Sequence, residues 1–186
     1  MLDEIIEEVK DGMEKAIEAL RRDLASIRTG RASTAMLDNV KVEYYGNMTP
    51  LNQMSTISVP EPRLLMIKPW EANLIPTIEK ALLADTSLGL NPANDGAVIR
   101  LPIPELTEER RMEITKVARN RAEDARVAVR HARRDGIDLL QDSQKDGDIS
   151  EDESRSAQDR VQKLTDEYVG RIDEIAIKKA EEIMEV

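Results

Sequence analysis

Cysteine and phenylalanine are absent from this 186-residue sequence, histidine occurs once, and aromatic residues make up 2% of it. Without cysteine there is no disulfide, no thiolate nucleophile and no Cys-ligated zinc. His131, alone, leaves no material for a His-based triad or a His-rich metal site. Trp70, Tyr44, Tyr45 and Tyr168 are the whole aromatic supply, so the core has to be aliphatic. Binding of single-stranded nucleic acid by ring stacking is disfavoured, since there are too few platforms. Neither a Walker-type phosphate loop nor a dinucleotide fingerprint is present, and no carboxylate pair stands out from the many that acidic helices supply. The expectation is a protein that is not an enzyme and carries no cofactor and no metal. No apolar run reaches membrane-spanning length. The N-terminus, Met1-Leu2-Asp3-Glu4-Ile5-Ile6-Glu7-Glu8, is acidic and amphipathic, unlike a targeting peptide. These features predict a cytoplasmic protein with no membrane partner, and a monomer is expected.

The formal charge is −10, but its distribution matters more than its sum. Residues 119–134 carry six basic and two acidic groups, whereas residues 135–186 carry seven basic and sixteen acidic ones. One short basic island sits in an acidic chain.

Periodicity divides the chain. Ile5, Val9, Met13, Ile17, Leu20, Leu24 and Ile27 form one stripe of a helix over 2–28, with Asp3 as N-cap and Gly30 suited to its close. Alternation then appears in Val40–Tyr44, with β-type runs at Met54–Val59, Leu64–Ile67, Leu88–Asn91 and Ala97–Ile103. Residues 71–84 read as a helix, which places Pro76 in its first turn or at a kink. Seven of the eight prolines fall in this segment and Pro104 stands at its boundary; from Leu106 onward there is none. A helix beginning near Thr107 runs to about Gln144, and Ser150 with Glu153 forms a capping box opening a last helix to about Met184. The last helix carries the stripe Val161, Leu164, Tyr168, Ile172, Ile175 and Ile183, interrupted by Lys179.

Three long amphipathic helices bury their stripes most economically against one another. The predicted class is therefore α+β: a three-helix bundle of residues 1–29 and 106–186 with a small β/α/β domain, 30–105, inserted between them. The joints fall near 29–33 and 103–106. A single α+β domain is the rival arrangement.

At about 100° per residue, Arg119, Arg126, Arg130 and Arg133 fall within an arc of roughly 60°, with Lys116 and Arg134 at its edge. Ile114, Val117, Ala118, Ala125, Ala128, Ala132 and Leu139 are read as the neighbouring core-facing arc. A charge run of this kind is often only a solvated face, laced with pairs such as Glu123 to Arg126 or Arg119. Two features favour RNA phosphates instead. The stripe is mostly arginine, whose planar fork suits phosphate, and Arg130, Arg133 and Arg134 lack an acidic residue three or four positions upstream. A second constellation, Asp142, Gln144, Asp146, Gly147, Ile149, Ser150 and Glu153, matches the offsets of an EF-hand loop. Gln at the third offset and the lack of a second loop favour an ordinary acidic turn.

Several stretches, in order from end to end, resemble the ribosome recycling factor family. They are Ile27-Arg28-Thr29-Gly30-Arg31-Ala32-Ser33, Val42-Glu43-Tyr44-Tyr45-Gly46 with Thr49-Pro50-Leu51, Leu88-Gly89-Leu90-Asn91-Pro92, and Leu106-Thr107-Glu108-Glu109-Arg110-Arg111. The series continues with Ala125-Arg126-Val127-Ala128-Val129-Arg130, Arg133-Arg134-Asp135, Ile149-Ser150-Glu151-Asp152 and Val161-Gln162-Lys163-Leu164-Thr165-Asp166. The resemblance implies an L-shaped two-domain protein that binds the post-termination ribosome across the tRNA sites. With elongation factor G and GTP it would split the subunits, hydrolysing nothing itself. By the same resemblance Arg110, Arg130 and Arg133 match arginines that face large-subunit rRNA, and Arg28 and Arg31 flank an interdomain hinge that takes in Gly30, Pro104 and Glu105. Arg119 and Arg126 are added from the helical projection alone. Thr34 departs from a proline common in the family, and Gly136 stands where a helix former would serve better by about 1 kcal/mol. The alternative of another class is a calcium-responsive helical adaptor.

Overall fold

The computed structural model describes residues 1–86 and 88–185. It is an α+β protein whose chain falls into two compact units, one of Met1–Ile27 with the chain from Glu108 onward, the other of Arg28–Thr107.

Among the described residues the first unit holds three helices, α1 (Leu2–Ala25), α3 (Glu108–Lys145) and α4 (Glu151–Met184). The stripe on α1 buries Ile5, Val9, Met13, Ile17, Leu20 and Leu24 as its spacing dictates; Met13 and Ile17 are fully inaccessible, each burial worth about 1.5–3 kcal/mol. Two details of its ends differ from expectation. Met1, not Asp3, precedes the first turn, and Asp3 instead pairs with Arg160 of α4 at 3.3 Å. The helix also stops at Ala25, short of Gly30, with Ile27 N–H donating to Leu24 O at 3.1 Å. α3 presents small residues to its neighbours: Ala118, Ala122, Ala125 and Gly136 are buried beside Ile114, Val129 and Leu140. The expected core arc was misplaced in part, for Val117, Ala128 and Leu139 are exposed. Hydropathy alone drew that arc. The true one follows the line along which two flanking helices approach, and there small side chains pack best. On α4 the buried line is Ser154, Ala157, Val161, Thr165, Tyr168, Ile172 and Ile183. The Thr165 hydroxyl meets its own helix, donating to Val161 O at 2.9 Å. Lys179 keeps its ammonium 3.4 Å from Glu182 while most of its side chain is withdrawn from solvent.

Among the described residues the second unit contains six strands and α2 (Ile75–Ala84). β1 (Lys41–Tyr44) and β2 (Asn47–Pro50) form a hairpin, Tyr44 opposite Asn47, so Tyr45 and Gly46 are its two-residue turn. β3 (Ser55–Glu61), β4 (Leu64–Pro69), β6 (Ile99–Pro102) and β5 (Ala93–Asn94) make an antiparallel sheet in the order β3-β4-β6-β5. Leu65, Ile67, Ile99 and Leu101 of the sheet are inaccessible and share a core with Val42, Leu51, Met54, Ile78 and Leu82. Pro76 sits in the first turn of α2, where its missing N–H costs nothing. The expected strand at Leu88–Asn91 is not formed: Leu88 and Leu90 are buried in irregular chain, and β5 starts at Ala93. Two buried leucines around Gly89 mimic strand alternation without a partner strand. β2 carries no apolar alternation in its sequence, since Met48 points outward. Thr34 opens a 3-10 turn, Thr34–Leu37, capped by Ser33 Oγ, which accepts from Ala35 N–H at 3.3 Å.

Candidate nucleic-acid interface

All five arginines proposed to face RNA lie on α3, but they do not form one surface. On the helical projection Arg110 is separated from Arg119, Arg126, Arg130 and Arg133 by roughly 140° or more, with the buried arc between them. Arg110 is exposed and pairs with Glu113 at 2.9 Å. Arg119 and Arg130 are also exposed, as is Arg134.

Arg126 is different. Its Nε and Nη2 both donate to Asp173 Oδ1 of α4, at 3.0 and 2.7 Å, and its Nη1 donates to Glu123 Oε2 at 3.2 Å. Its side chain is only 24% exposed. The hydrogen bond to Asp173 is the main reason its pKa rises further. A guanidinium with its donors committed in this way ties α3 to α4 and has little left for a phosphate. The projection could not show this, since Asp173 is 47 residues away.

Arg130 Nη1 reaches Glu123 Oε1 at 3.2 Å, a span of seven residues or two helical turns, which a search at three and four positions overlooks. Glu123 therefore serves two arginines, and those hydrogen bonds, first from Arg126 and then from Arg130, hold its carboxyl below the usual range. Arg133 Nη1 donates to Gln162 Oε1 of α4 at 3.0 Å, and its Nε is buried with no hydrogen-bond partner among the described residues. Exposed Arg119, Arg130 and Arg134, with Arg133 at the α4 seam, make up the cationic strip available to an anionic partner.

The proposed hinge residues belong to the second unit. Arg28 Nη1 donates to Leu88 O at 2.6 Å. Gly30, at φ 79°, packs against Leu106 in a backbone conformation that disfavours a side chain. Arg63 pairs with Glu105. Two backbone bonds fasten the entering and leaving chain to the β3–β4 turn: Ala32 N–H to Pro62 O at 2.7 Å and Ile103 N–H to Arg63 O at 2.8 Å. Arg28, Gly30, Arg31, Pro104 and Leu106 line a cavity of about 170 Å³ with Leu88, Leu90 and Ile103.

The EF-hand-like segment is a helix-to-helix turn. Gly147, at φ 81°, closes α3 with Asp148 N–H donating to Ser143 O at 2.9 Å and Gly147 N–H to Gln144 O at 3.1 Å. Ser150 then caps α4 in a reciprocal box, its Oγ accepting from Glu153 N–H at 3.2 Å and Glu153 Oε2 accepting from Ser150 N–H at 2.8 Å. The carboxylate at the last EF-hand offset is thus already engaged. Among the described residues no group of three or more His, Asp or Glu side chains is placed to hold a metal ion, and no helix is long and apolar enough to cross a membrane.

Comparison with known proteins places these features in a wider set. The family model described as "Ribosome recycling factor" matches residues 20–184. The chain is 52% identical over 186 residues to the ribosome-recycling factor of Carboxydothermus hydrogenoformans and 53% identical to those of Syntrophomonas wolfei and Geobacillus kaustophilus, in each case over the whole of both chains. A solution structure of the ribosome recycling factor aligns with a TM-score of 0.77 at 43% identity, covering 100% of this chain and 98% of that one. A second similar structure is a model of the T. thermophilus factor, with E. coli elongation factor G, bound to the E. coli post-termination complex. It has a TM-score of 0.65 at 44% identity and covers 99% of both chains.

Proposed function

The chain belongs to the ribosome recycling factor family, and from that premise we propose that it binds the post-termination ribosome across the tRNA sites and, with elongation factor G and GTP, promotes dissociation of the subunits and release from mRNA. The observation that carries this is identity above 50% to named relatives over 186 residues, covering 100% of this chain and of each relative. The family is one of non-catalytic translation factors; this chain acts by occupying a site, hydrolyses nothing itself, and works in the cytoplasm where ribosomes are.

Contact with large-subunit rRNA is assigned to Arg119, Arg130 and Arg133, supported by their exposure or half-exposure along one side of α3, and separately to Arg110. Arg126 is assigned a bracing role instead. Residues 28–107 are assigned to a lobe that turns on the chain near 29–33 and 103–106. Support comes from the division of contacts at Ile27 and Glu108. No observation favours the calcium-adaptor reading, since Glu153 is occupied by Ser150.

The test is subunit splitting of post-termination complexes with elongation factor G and GTP, together with co-sedimentation on ribosomes with and without calcium. Splitting that depends on the protein and ignores calcium is expected. Failure to sediment with ribosomes, or sedimentation only with calcium, would sink the reading.

A further inference from the structure

We propose that the corner formed by Tyr44, Tyr45 and Glu71 is a docking site for a cationic side chain, arginine or lysine, of a protein partner in the ribosomal complex. Three of the chain's four aromatic residues, Tyr44, Tyr45 and Trp70, lie in the second unit, and only Tyr168 is elsewhere. Tyr45 is 76% exposed and Trp70, next to Glu71, is 66% exposed. Ring area left in water in a chain so poor in rings needs a reason.

The backbone supplies a second, independent observation. Tyr45 is the one non-glycine residue with positive φ among those described, at 48°, followed by Gly46 at 81°. A two-residue hairpin turn with both φ values positive is best served by Asn-Gly, and a bulky aromatic in its first place is an outlier. The side chain recovers nothing by burial in the core. A strained residue held in place against local preference points to function.

The chemistry of the corner selects the occupant. The two rings meet edge to face, centroids 4.5 Å apart at 73°. Both hydroxyls are turned inward onto one carboxylate: Tyr44 Oη donates to Glu71 Oε1 at 3.4 Å and Tyr45 Oη to Glu71 Oε2 at 3.2 Å. With those donors used, the corner offers a visitor ring faces and the remaining lone pairs of a carboxylate. Both attract cations, and neither accepts a phosphate. RNA backbone is therefore the wrong partner here, in contrast to the arginine strip on α3.

The test rests on the family reading for the complex in which the partner is sought. Trp70→p-benzoylphenylalanine replaces none of the three corner residues and puts a photo-crosslinker at the exposed position that precedes Glu71 in the chain. Post-termination complexes reconstituted from purified ribosomes and elongation factor G are irradiated, and adducts are digested with protease or nuclease. A protease-sensitive adduct mapping to a segment with Lys or Arg is expected. Glu71→Lys should lower its yield by about tenfold, the scale of losing a desolvated cation–π contact with its counter-charge. Tyr45→Asn should also lower the yield, while unfolding no more easily than wild type because Asn suits the turn. A nuclease-sensitive adduct, no adduct, or a yield indifferent to both substitutions would overturn the proposal. Ribosome co-sedimentation of the same samples separates the readings: complexes that form without the protein adduct refute this site alone, whereas wild type that fails to sediment refutes the family reading and this proposal with it.

Discussion

Gly136 of α3 lies against Val9 of α1 so closely that a Cβ built on the glycine would overlap Val9 Cγ2. Nearby, a Cβ on Gly12 of α1 would come within 3.2 Å of Ala132 Cβ. α1 and α3 thus approach along a line of minimal side chains. A glycine that looks like a misplaced helix breaker is there because no larger residue fits.

Gly136→Ala should therefore destabilise the protein. Helix propensity favours alanine by about 1 kcal/mol, but overpacking a rigid seam typically costs about 1–3 kcal/mol. Val9→Ala added to Gly136→Ala should recover part of the loss. Urea unfolding of the three variants checks this; a Gly136→Ala protein more stable than wild type would mean that the helices separate freely.

Tyr168 Oη donates a 2.6 Å hydrogen bond to Glu14 Oε2, joining α4 to α1, while Arg171 stacks 4.9 Å from the Tyr168 ring centroid. Burial, then the bond to Glu14, pushes the phenol from 10.0 up to about 12. The same bond is the leading cause that lowers Glu14. The stability from keeping the phenol neutral is complete below pH 10 and is lost as pH rises from there through about 12. Tyr168→Phe should cost about 1–2 kcal/mol at neutral pH and remove that alkaline loss. Phenolate absorbance across the same range reports the titration; a Tyr168 that ionises with the other tyrosines would contradict it.

Arg130→Ala should weaken ribosome binding and change stability by less than about 0.5 kcal/mol, since its pair with Glu123 is exposed on both sides. Arg126→Ala should do the reverse, costing roughly 1 kcal/mol of stability through loss of the Asp173 link and affecting binding little. Binding of wild type should tighten as salt falls, and Arg130→Ala should flatten that dependence by somewhat under one unit of slope. Arg155, which pairs with Glu151 in the acidic first turn of α4, is the control. Equal effects of Arg126→Ala and Arg130→Ala on affinity would argue against separate roles.

Asp95 closes the β5–β6 turn, its Oδ1 accepting from the N–H groups of Val98 and Ala97, each at 3.0 Å, and its Oδ2 from Arg100 at 2.9 Å. These bonds, Val98 first, hold its carboxyl at about 2 instead of 3.8. The depressed value means that its contribution to stability is present above pH 3.8 and is lost as pH falls through about 2. Carboxyl NMR titration should show the low midpoint, and Asp95→Asn should unfold with a weaker dependence on acid. An Asp95 midpoint near that of exposed aspartates would remove the basis for this.

Limited proteolysis should cut first near 29–33 or 103–106, within a few residues of the boundaries between units at Ile27 and Glu108, where the chain has no regular structure to protect it. First cuts within 110–140 would be inconsistent with an intact α3.

Much of this molecule follows from its sequence because the deciding interactions are local. The stripe from Ile5 to Leu24, the box of Ser150 with Glu153, and the turn at Gly147 each depend on residues a few positions apart, and periodicity or cap chemistry reports them directly. The basic island was equally visible, as was its position on α3. What lay beyond reach were the partners supplied by other elements. Asp173 removes Arg126 from the cationic strip, Glu71 converts two tyrosines into a cation-attracting corner, and Val9 requires Gly136. In each case the chemistry of the residue is the same in any chain, but its role depends on a neighbour that only folding brings within a few ångströms.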